Sequence, residues 1–126
     1  MNTIKAFLID VQNSNPYVVE IQEMSLDIIY KLLNCTCFDI AHRKIGSSIY
    51  DIFCDDEGLL KCNPILSAMS SNNEPMLVGN LLVTKSNAEG ETISLADSEI
   101  AEIRKNLTPI FDDKGKYYPC LICDYE

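Results

Sequence analysis

Apolar residues alternate with polar residues, or run together in short stretches, over most of the chain, which is typical of β-strands. Residues Ile4–Val11 predict a first strand and Tyr17–Ile21 a second. The turn-forming residues 13–16 between them indicate a hairpin. Ser25 is a suitable N-cap for a helix that extends to about Asn34, because apolar residues recur there at helical spacing.

The middle of the chain returns to strand patterns separated by short turns. We expect strands over residues 36–45 and 49–54, and a third, shorter strand at 59–62. Connections this short imply antiparallel pairing. The polar segment from Ser67 to Pro75 is the longest candidate for a mobile loop.

The last part of the chain predicts one more strand and a second helix. Residues 76–84 form a strong strand pattern in which Gly79 marks a bulge or a close backbone approach. Ser94, followed three residues later by Asp97, predicts the start of a helix. Pro109 ends that helix at the latest.

These elements define an α+β fold, with a mostly antiparallel sheet of six or seven short strands and two helices. The chain has 126 residues, of which 47% are hydrophobic and 23% charged, and this composition is typical of a globular protein. We assign residues 1–109 to a single domain and residues 110–126 to a C-terminal tail docked on it. Exposed sheet edges in so small a domain favour a homodimer.

The charge balance restricts the possible partners. Lys and Arg number 10 against 19 acidic residues, which gives a net charge of -9. Such a chain repels phosphate backbones and anionic membranes, so we expect no direct nucleic-acid or membrane partner. The N-terminus does not resemble a signal peptide, and no stretch reaches the roughly 20 apolar residues of a membrane span. We therefore expect a cytoplasmic protein with reduced cysteines.

Six segments share an order and spacing that resemble a known family. They are Val19-Glu20-Ile21, Asp56 to Lys61, Asn63-Pro64, Val78 to Val83, Glu89-Gly90-Glu91 and Ser94 to Ile100. Over about residues 4–107 the chain resembles the domain-of-unknown-function family numbered 3846, small proteins of phages, plasmids and other mobile elements, largely of Firmicutes. The resemblance implies a small cytosolic accessory protein and carries no established catalytic motif. Many such proteins inhibit host machinery or sequester small defence signals.

Two adjacent basic pairs are the candidate ligand-binding residues. They are Arg43 with Lys44 and Arg104 with Lys105. An Arg side chain can bind a phosphate through two parallel hydrogen bonds, so the pairs could line a pocket for a small anionic ligand. The alternative is a solvated strand end and a helix C-terminus, where positive charge is favourable.

Other polar and aromatic residues give weaker signals. His42 is the only histidine and has no sequence signature of catalysis, so a solvated hairpin end is favoured. An acidic cluster lacks the spacing of a calcium loop and is interpreted as a turn. Its members are Asp51, Asp55, Asp56 and Glu57. Three aromatic residues could stack a base but are interpreted as core residues. They are Phe38, Tyr50 and Phe53.

Cys120 and Cys123 form a Cys-x-x-Cys pair in the tail. A redox pair is disfavoured, because too few residues follow Cys123 to form the helix that would activate a thiolate. A zinc site needs a second ligand pair, from Cys35 with Cys37 or Cys54 with Cys62. Neither has a known zinc spacing, so we expect buried thiols and no cofactor, with zinc on Cys120 and Cys123 as the alternative.

We therefore expect a non-catalytic binding protein, one possible role being counter-defence by sequestering a nucleotide-derived signal. The alternative is an acidic inhibitor or nucleic-acid mimic that binds a basic surface of a host protein through the net charge of -9. An enzyme has no supporting constellation of residues.

Overall fold

The structure is a computed structural model that describes residues 3–12, 15–58 and 65–125. These residues form strands β1 to β11 and helices α1 and α2. In chain order the elements are β1 (Ile4–Ile9), β2 (Tyr17–Ile21), α1 (Leu26–Leu33), β3 (Phe38–Ile45), β4 (Ser48–Asp55), β5 (Leu66–Met69), β6 (Pro75–Val78), β7 (Leu81–Ser86), β8 (Thr92–Ile93), α2 (Asp97–Lys105), β9 (Leu107–Phe111), β10 (Tyr117–Ile122) and β11 (Asp124–Tyr125).

The strands form two sheets. The larger sheet has the order β11-β3-β4-β7-β1-β2, with β8 paired to β7, and all its pairings are antiparallel. The smaller sheet has the order β6-β5-β10-β9, in which β5 and β10 are parallel. The predicted α+β class, with a mostly antiparallel sheet of up to seven strands and two helices, is confirmed, whereas the second sheet is an addition to the prediction.

The larger sheet is the central layer, and its strands alternate between two cores. On one face, α1 packs against Ala6, Leu8, Phe53 and Leu82. On the other face, α2 and the smaller sheet cover a larger core. Its main residues are Phe7, Ile9, Ile45, Tyr50, Ile52, Leu81, Val83, Leu95, Ile103 and Leu121. Successive residues of β1 thus enter opposite cores, as a period of two requires.

Helix α1 follows the local rules for helix ends. The Ser25 hydroxyl accepts a hydrogen bond from the Ile28 N–H at 3.3 Å, and Asn34 ends the helix in a left-handed conformation. Ile29 and Leu33 are buried on its inner face. Among the described residues, no helix has the length and apolar character needed to cross a bilayer.

The N-cap of helix α2 lies two residues later than predicted. Ala96 occupies the N-cap position, and the Glu99 carboxylate accepts a hydrogen bond from the Ala96 N–H at 2.8 Å. The hydroxyl of Ser94 instead accepts a hydrogen bond from the Lys5 N–H of β1. The prediction that Ser94 caps the helix is therefore wrong, because Ala96 holds the cap position and the Ser94 hydroxyl is bonded to β1.

Two predictions for the middle of the chain are also corrected. The expected loop from Ser67 to Pro75 is shorter, because Ser67 to Met69 belong to β5 and Pro75 opens β6. Gly79 divides the predicted strand 76–84 into β6 and β7 rather than marking a bulge within it, since it has φ +79. The strand expected at residues 59–62 lies outside the described residues.

The residues after Pro109 contribute to both sheets. Strand β10 lies between β5 and β9 in the smaller sheet, and Leu121 is fully buried. The chain then crosses to the larger sheet, where Asp124 and Tyr125 pair with Lys44 and Arg43 of β3. Pairing with both sheets therefore fixes this segment in the structure.

Candidate functional site

The first predicted basic pair lies at the β3 edge that β11 covers. The Arg43 guanidinium carbon lies 4.5 Å from the centre of the Tyr125 ring, and Nη1 donates a hydrogen bond to the His42 carbonyl. Among the described residues, the buried Nε of Arg43 has no hydrogen-bond partner. Lys44 is exposed. Arg43 is thus held against the C-terminal strand, and Lys44 presents its charge to solvent.

The second predicted basic pair ends α2. The Arg104 guanidinium carbon lies 5.0 Å from the centre of the Phe7 ring, and Nη1 donates a hydrogen bond to the Pro16 carbonyl at 3.4 Å. Arg104 and Lys105 are both exposed. Arg104 also borders an open groove of about 460 Å³ between α2 and the β1–β2 hairpin. The groove is lined by Lys5, Val18, Glu20, Asp97, Ile100, Ala101 and Arg104.

The two basic pairs lie apart. Arg104 lies over Phe7 of β1, and strands β4 and β7 separate β1 from β3. Three strand spacings correspond to about 14 Å. The structure therefore offers two separate positive positions rather than one cluster of four, and ligand binding at Arg43, Lys44, Arg104 and Lys105 stays a prediction.

Acidic residues, by contrast, gather at one end of the larger sheet. Asp39 is the second residue of β3 and lies opposite Cys54, and Asp55 ends the paired strand β4, where it lies opposite Phe38. The exposed turn residues Asp56 and Glu57 follow directly. We call these four residues the acidic end. Three of them were predicted as turn residues, whereas Asp39 is brought to them by cross-strand pairing.

The pKa values of two nearby thiols are raised, in part by the charges of the acidic end. A hydrogen bond to Glu57, burial and the charges of Glu57, Asp56 and Asp55 raise the pKa of Cys37 to about 11. The Cys37 thiol donates this bond to Glu57 Oε1 at 3.0 Å. Burial and then the Asp39 charge raise the pKa of Cys54 to about 11. A thiolate is disfavoured here because its charge would add to those of the carboxylates.

Aromatic residues border the acidic end. The rings of Tyr30 and Phe38 are 5.7 Å apart in an edge-to-face arrangement, and Phe38 lies 5.6 Å from Phe53. Phe53 and Tyr50 are buried, which confirms their interpretation as core residues, whereas Phe38 and Tyr30 are half-buried. The acidic end thus combines exposed carboxylates with partly exposed aromatic surface, and sequence spacing did not reveal Tyr30 as its neighbour.

His42 forms a pair with Asp51 across β3 and β4. The His42 Nδ1 and Asp51 Oδ1 atoms are 2.7 Å apart, and the histidine side chain is 57% exposed. Asp51 lies in the middle of β4, within the strand predicted over residues 49–54 and apart from the turn that follows it. Within the described residues, no nucleophilic side chain hydrogen-bonds to the imidazole. The pair is a cross-strand hydrogen bond and does not have the nucleophile–base arrangement of a catalytic dyad.

Cys120 and Cys123 are buried in β10 and directly after it. Burial raises the pKa of each thiol to about 11. Across residues 3–12, 15–58 and 65–125, no group of three or more His, Cys, Asp or Glu side chains is arranged to hold a metal ion. Cys62, one of the possible zinc partners, lies outside the described residues. The two described tail thiols are packed as small apolar side chains.

The fold and these surfaces define a two-sheet α+β protein with separated basic positions and one acidic, aromatic end. The model of the family described as "Domain of unknown function (DUF3846)" matches residues 4–108, and the chain belongs to this family. The match ends before β10 and β11, so these two strands lie beyond it. No curated protein and no solved structure is significantly similar to the chain.

Proposed function

We propose that this family member is a non-catalytic binding protein that binds a basic surface of another protein through its acidic end. In the mobile-element context that the family resemblance implies, the partner is a host protein and the effect is inhibition. Of the two roles that the sequence suggests, this one is the acidic inhibitor that binds a host protein. The observation that supports it is the gathering of Asp55, Asp56 and Glu57 beside the half-buried rings of Tyr30 and Phe38, with Asp39 at the same end of the sheet on its opposite face.

The chemistry of this surface suits a protein partner. Aromatic residues supply contact area at protein interfaces, while opposite charges steer the encounter of the two proteins. A small anionic ligand would be repelled by the same carboxylates. The net charge of -9 adds a long-range attraction to basic partners.

The test is a pull-down from host lysate with a charge-neutralised variant and a matched control. The variant carries Asp39→Asn, Asp56→Asn and Glu57→Gln, and it removes three exposed charges from the acidic end. The control carries Glu23→Gln, Glu89→Gln and Asp113→Asn, which removes three exposed charges elsewhere.

We expect partners that are retained at low salt and lost at high salt, because the attraction is screened. The acidic-end variant should lose them, and the control should keep them. Equal retention by the two variants, or no recovered partner, would overturn the proposal.

The groove between α2 and the β1–β2 hairpin supports a second candidate function, the binding of a small anionic ligand. Lys5 and Arg104 border the groove of about 460 Å³, a volume within the roughly 300–1,000 Å³ range of small-molecule sites. This supports the sequestering of a nucleotide-derived signal, with Arg104 as the phosphate contact. Glu20 and Asp97 in the same groove weaken its attraction for anions.

Calorimetry across a panel of cyclic and ADP-ribose-type nucleotides tests this second function. We expect the wild type to give heat of binding and the Arg104→Ala variant to give none. The Lys31→Ala variant, which removes an exposed charge from the other helix, should still give the heat of the wild type. No heat with any nucleotide would exclude it.

A further inference from the structure

The outer edge of β2 differs from the other edges of the two sheets. Among the described residues, β2 pairs with β1 alone, over five consecutive residues without a register shift. Proteins protect such edges with Pro, charged side chains and above all Lys, bulges or short strands. Between Tyr17 and Ile21 there is no Pro and no Lys, and Glu20 is the one charged residue. Val18 and Val19 are only partly buried, and Tyr17 is 40% exposed.

Four other edge strands each carry a protective feature. Strand β9 contains Pro109, and β6 begins at Pro75 and shows register shifts against β5. Strands β8 and β11 are two residues long. Strand β2, by contrast, lacks a Pro, a Lys and a register shift, and it is longer than β8 and β11.

We propose that β2 pairs antiparallel with β2 of a second copy of this chain, so that the larger sheet continues across a two-fold axis at Val19. Two-fold pairing must centre on a residue, because opposite residues in an antiparallel pair are of the same hydrogen-bonding type. Centring on Glu20 would place two carboxylates opposite each other. Centring on Val18 would place Glu20 opposite Pro16, which lacks an N–H. Centring on Val19 pairs all five residues of the strand.

Charge complementarity favours a second copy as the occupant. In the register centred on Val19, Glu20 of each copy lies opposite Val18 of the other. Val18 and Arg104 both line the groove between α2 and the β1–β2 hairpin. The Arg104 guanidinium lies over the ring of Phe7, and Phe7 is the residue of β1 that pairs with Val18. Glu20 of the second copy would thus reach Arg104, and symmetry gives this ion pair twice. Each Arg104 is already oriented by the Pro16 carbonyl.

The first test measures the mass of the full chain in solution by light scattering over a range of concentrations. We expect a dimer at high concentration whose dissociation constant rises at least tenfold with Glu20→Arg or Arg104→Glu. The double variant should restore dimerisation, because the ion pair is rebuilt in reverse. Glu23→Arg, the same change at an exposed residue just beyond the strand, should have no effect.

A second test determines which residues of the two β2 strands lie opposite each other in the dimer. Val19→Cys places two thiols opposite each other at the axis, so mild oxidation with diamide should join two copies by a disulfide. Glu23→Cys should not do so, and the wild type gives the background from the native cysteines. A wild type that stays monomeric at all concentrations would overturn the proposal. So would failure of the charge reversal to restore pairing, or absence of the Val19→Cys cross-link.

Discussion

The two helices are attached to the same sheet by different forces. Helix α1 buries Ile29 and Leu33 against the apolar face of the larger sheet. Helix α2 buries Ile103 and packs Ile100 against the larger core, and charged side chains supply further attachments. Glu99 pairs with Lys85, and Glu102 accepts hydrogen bonds from the β3–β4 turn. Apolar burial depends little on pH and modest salt, whereas the bonds of carboxylates depend on both. The attachment of α2 should therefore respond to conditions that leave α1 unchanged.

Glu102 is the centre of the polar attachment. Its Oε2 accepts hydrogen bonds from the N–H and hydroxyl of Ser47 at 3.2 and 2.9 Å, and Oε1 accepts one from the Tyr50 hydroxyl at 2.8 Å. The bonds from Tyr50 and then Ser47 lower the pKa of Glu102. Burial and the bond to Glu102 raise the pKa of Tyr50. The helix is thus joined to a fully buried phenol through a carboxylate that must stay ionised.

The largest effect is expected from removing an apolar contact of α1. Leu33→Ala should lower the free energy of unfolding by about 2–5 kcal/mol, because Leu33 is 2% exposed and a cavity replaces it. Urea denaturation near neutral pH and at mildly acidic pH should give the same loss. Leu26→Ala in the same helix is the control, with a change below about 0.5 kcal/mol, since Leu26 is 59% exposed. A loss that changes with pH would contradict the contrast.

The next effect concerns the polar attachment of α2. Glu102→Gln should cost about 1–3 kcal/mol near neutral pH, because bonds to a charged acceptor are lost. The folded chain has the lower pKa, so ionised Glu102 favours folding. This stabilisation is complete above the unfolded-state pKa and is lost as the pH falls through the folded-state pKa.

Urea denaturation of wild type and Glu102→Gln at several pH values measures this dependence. The difference between them should shrink as the pH falls, and the exposed control Glu89→Gln should show no such trend. A difference that stays constant down to acidic pH would mean that shape, and not charge, fixes α2.

A smaller effect is expected at the start of α1. Ser25→Ala should cost about 1 kcal/mol, since the Ile28 N–H loses its acceptor. Ser25→Asp should recover most of the loss, and Ser98→Ala, on the exposed face of α2, should stay within about 0.5 kcal/mol. Thermal unfolding measures all three variants. Equal losses for Ser25→Ala and Ser25→Asp would argue against the cap.

The smallest effect is expected for the ion pair of Lys85 and Glu99. Their side chains are 33% and 17% exposed, so Lys85→Met should cost only about 0.2–1 kcal/mol, and less at high salt. Lys5→Met is the comparison, because the Lys5–Asp97 pair is 3.7 Å long and more exposed. Thermal unfolding at two salt concentrations should show a larger, salt-dependent loss for Lys85→Met. A Lys5→Met loss as large as that of Lys85→Met would contradict this ranking.

The local parts of the fold could be predicted from sequence, and the non-local parts could not. Ser25 and the apolar spacing after it predicted α1, because a helix start depends on neighbouring residues. Ser67 looked like a loop residue, yet it is buried, and its hydroxyl donates to the Leu77 carbonyl of a different strand. The local pattern of apolar and polar residues likewise does not show that β10 pairs with β5 in parallel.

The candidate site shows the same limit. Arg43 and Arg104 were identified by charge, but a sequence does not show that Tyr125 covers one and Phe7 underlies the other. Asp39 was not predicted at the acidic end, because its proximity to the β4 end comes from strand pairing. Sequence spacing therefore found the charged residues without their neighbours.

The crossing of the chain from β10 to β11 has a consequence for folding kinetics. The hairpins β1–β2 and β3–β4 join residues close in sequence, whereas β5–β10 and β3–β11 join distant ones. Closing long loops is slow because their entropy is lost before the contacts form. We therefore expect the two hairpins to form before these distant pairings, with β11 added to β3 in a later step. Before that step, the outer edge of β3 is unpaired at Arg43 and Lys44, and the Arg43 guanidinium is not yet in contact with the Tyr125 ring.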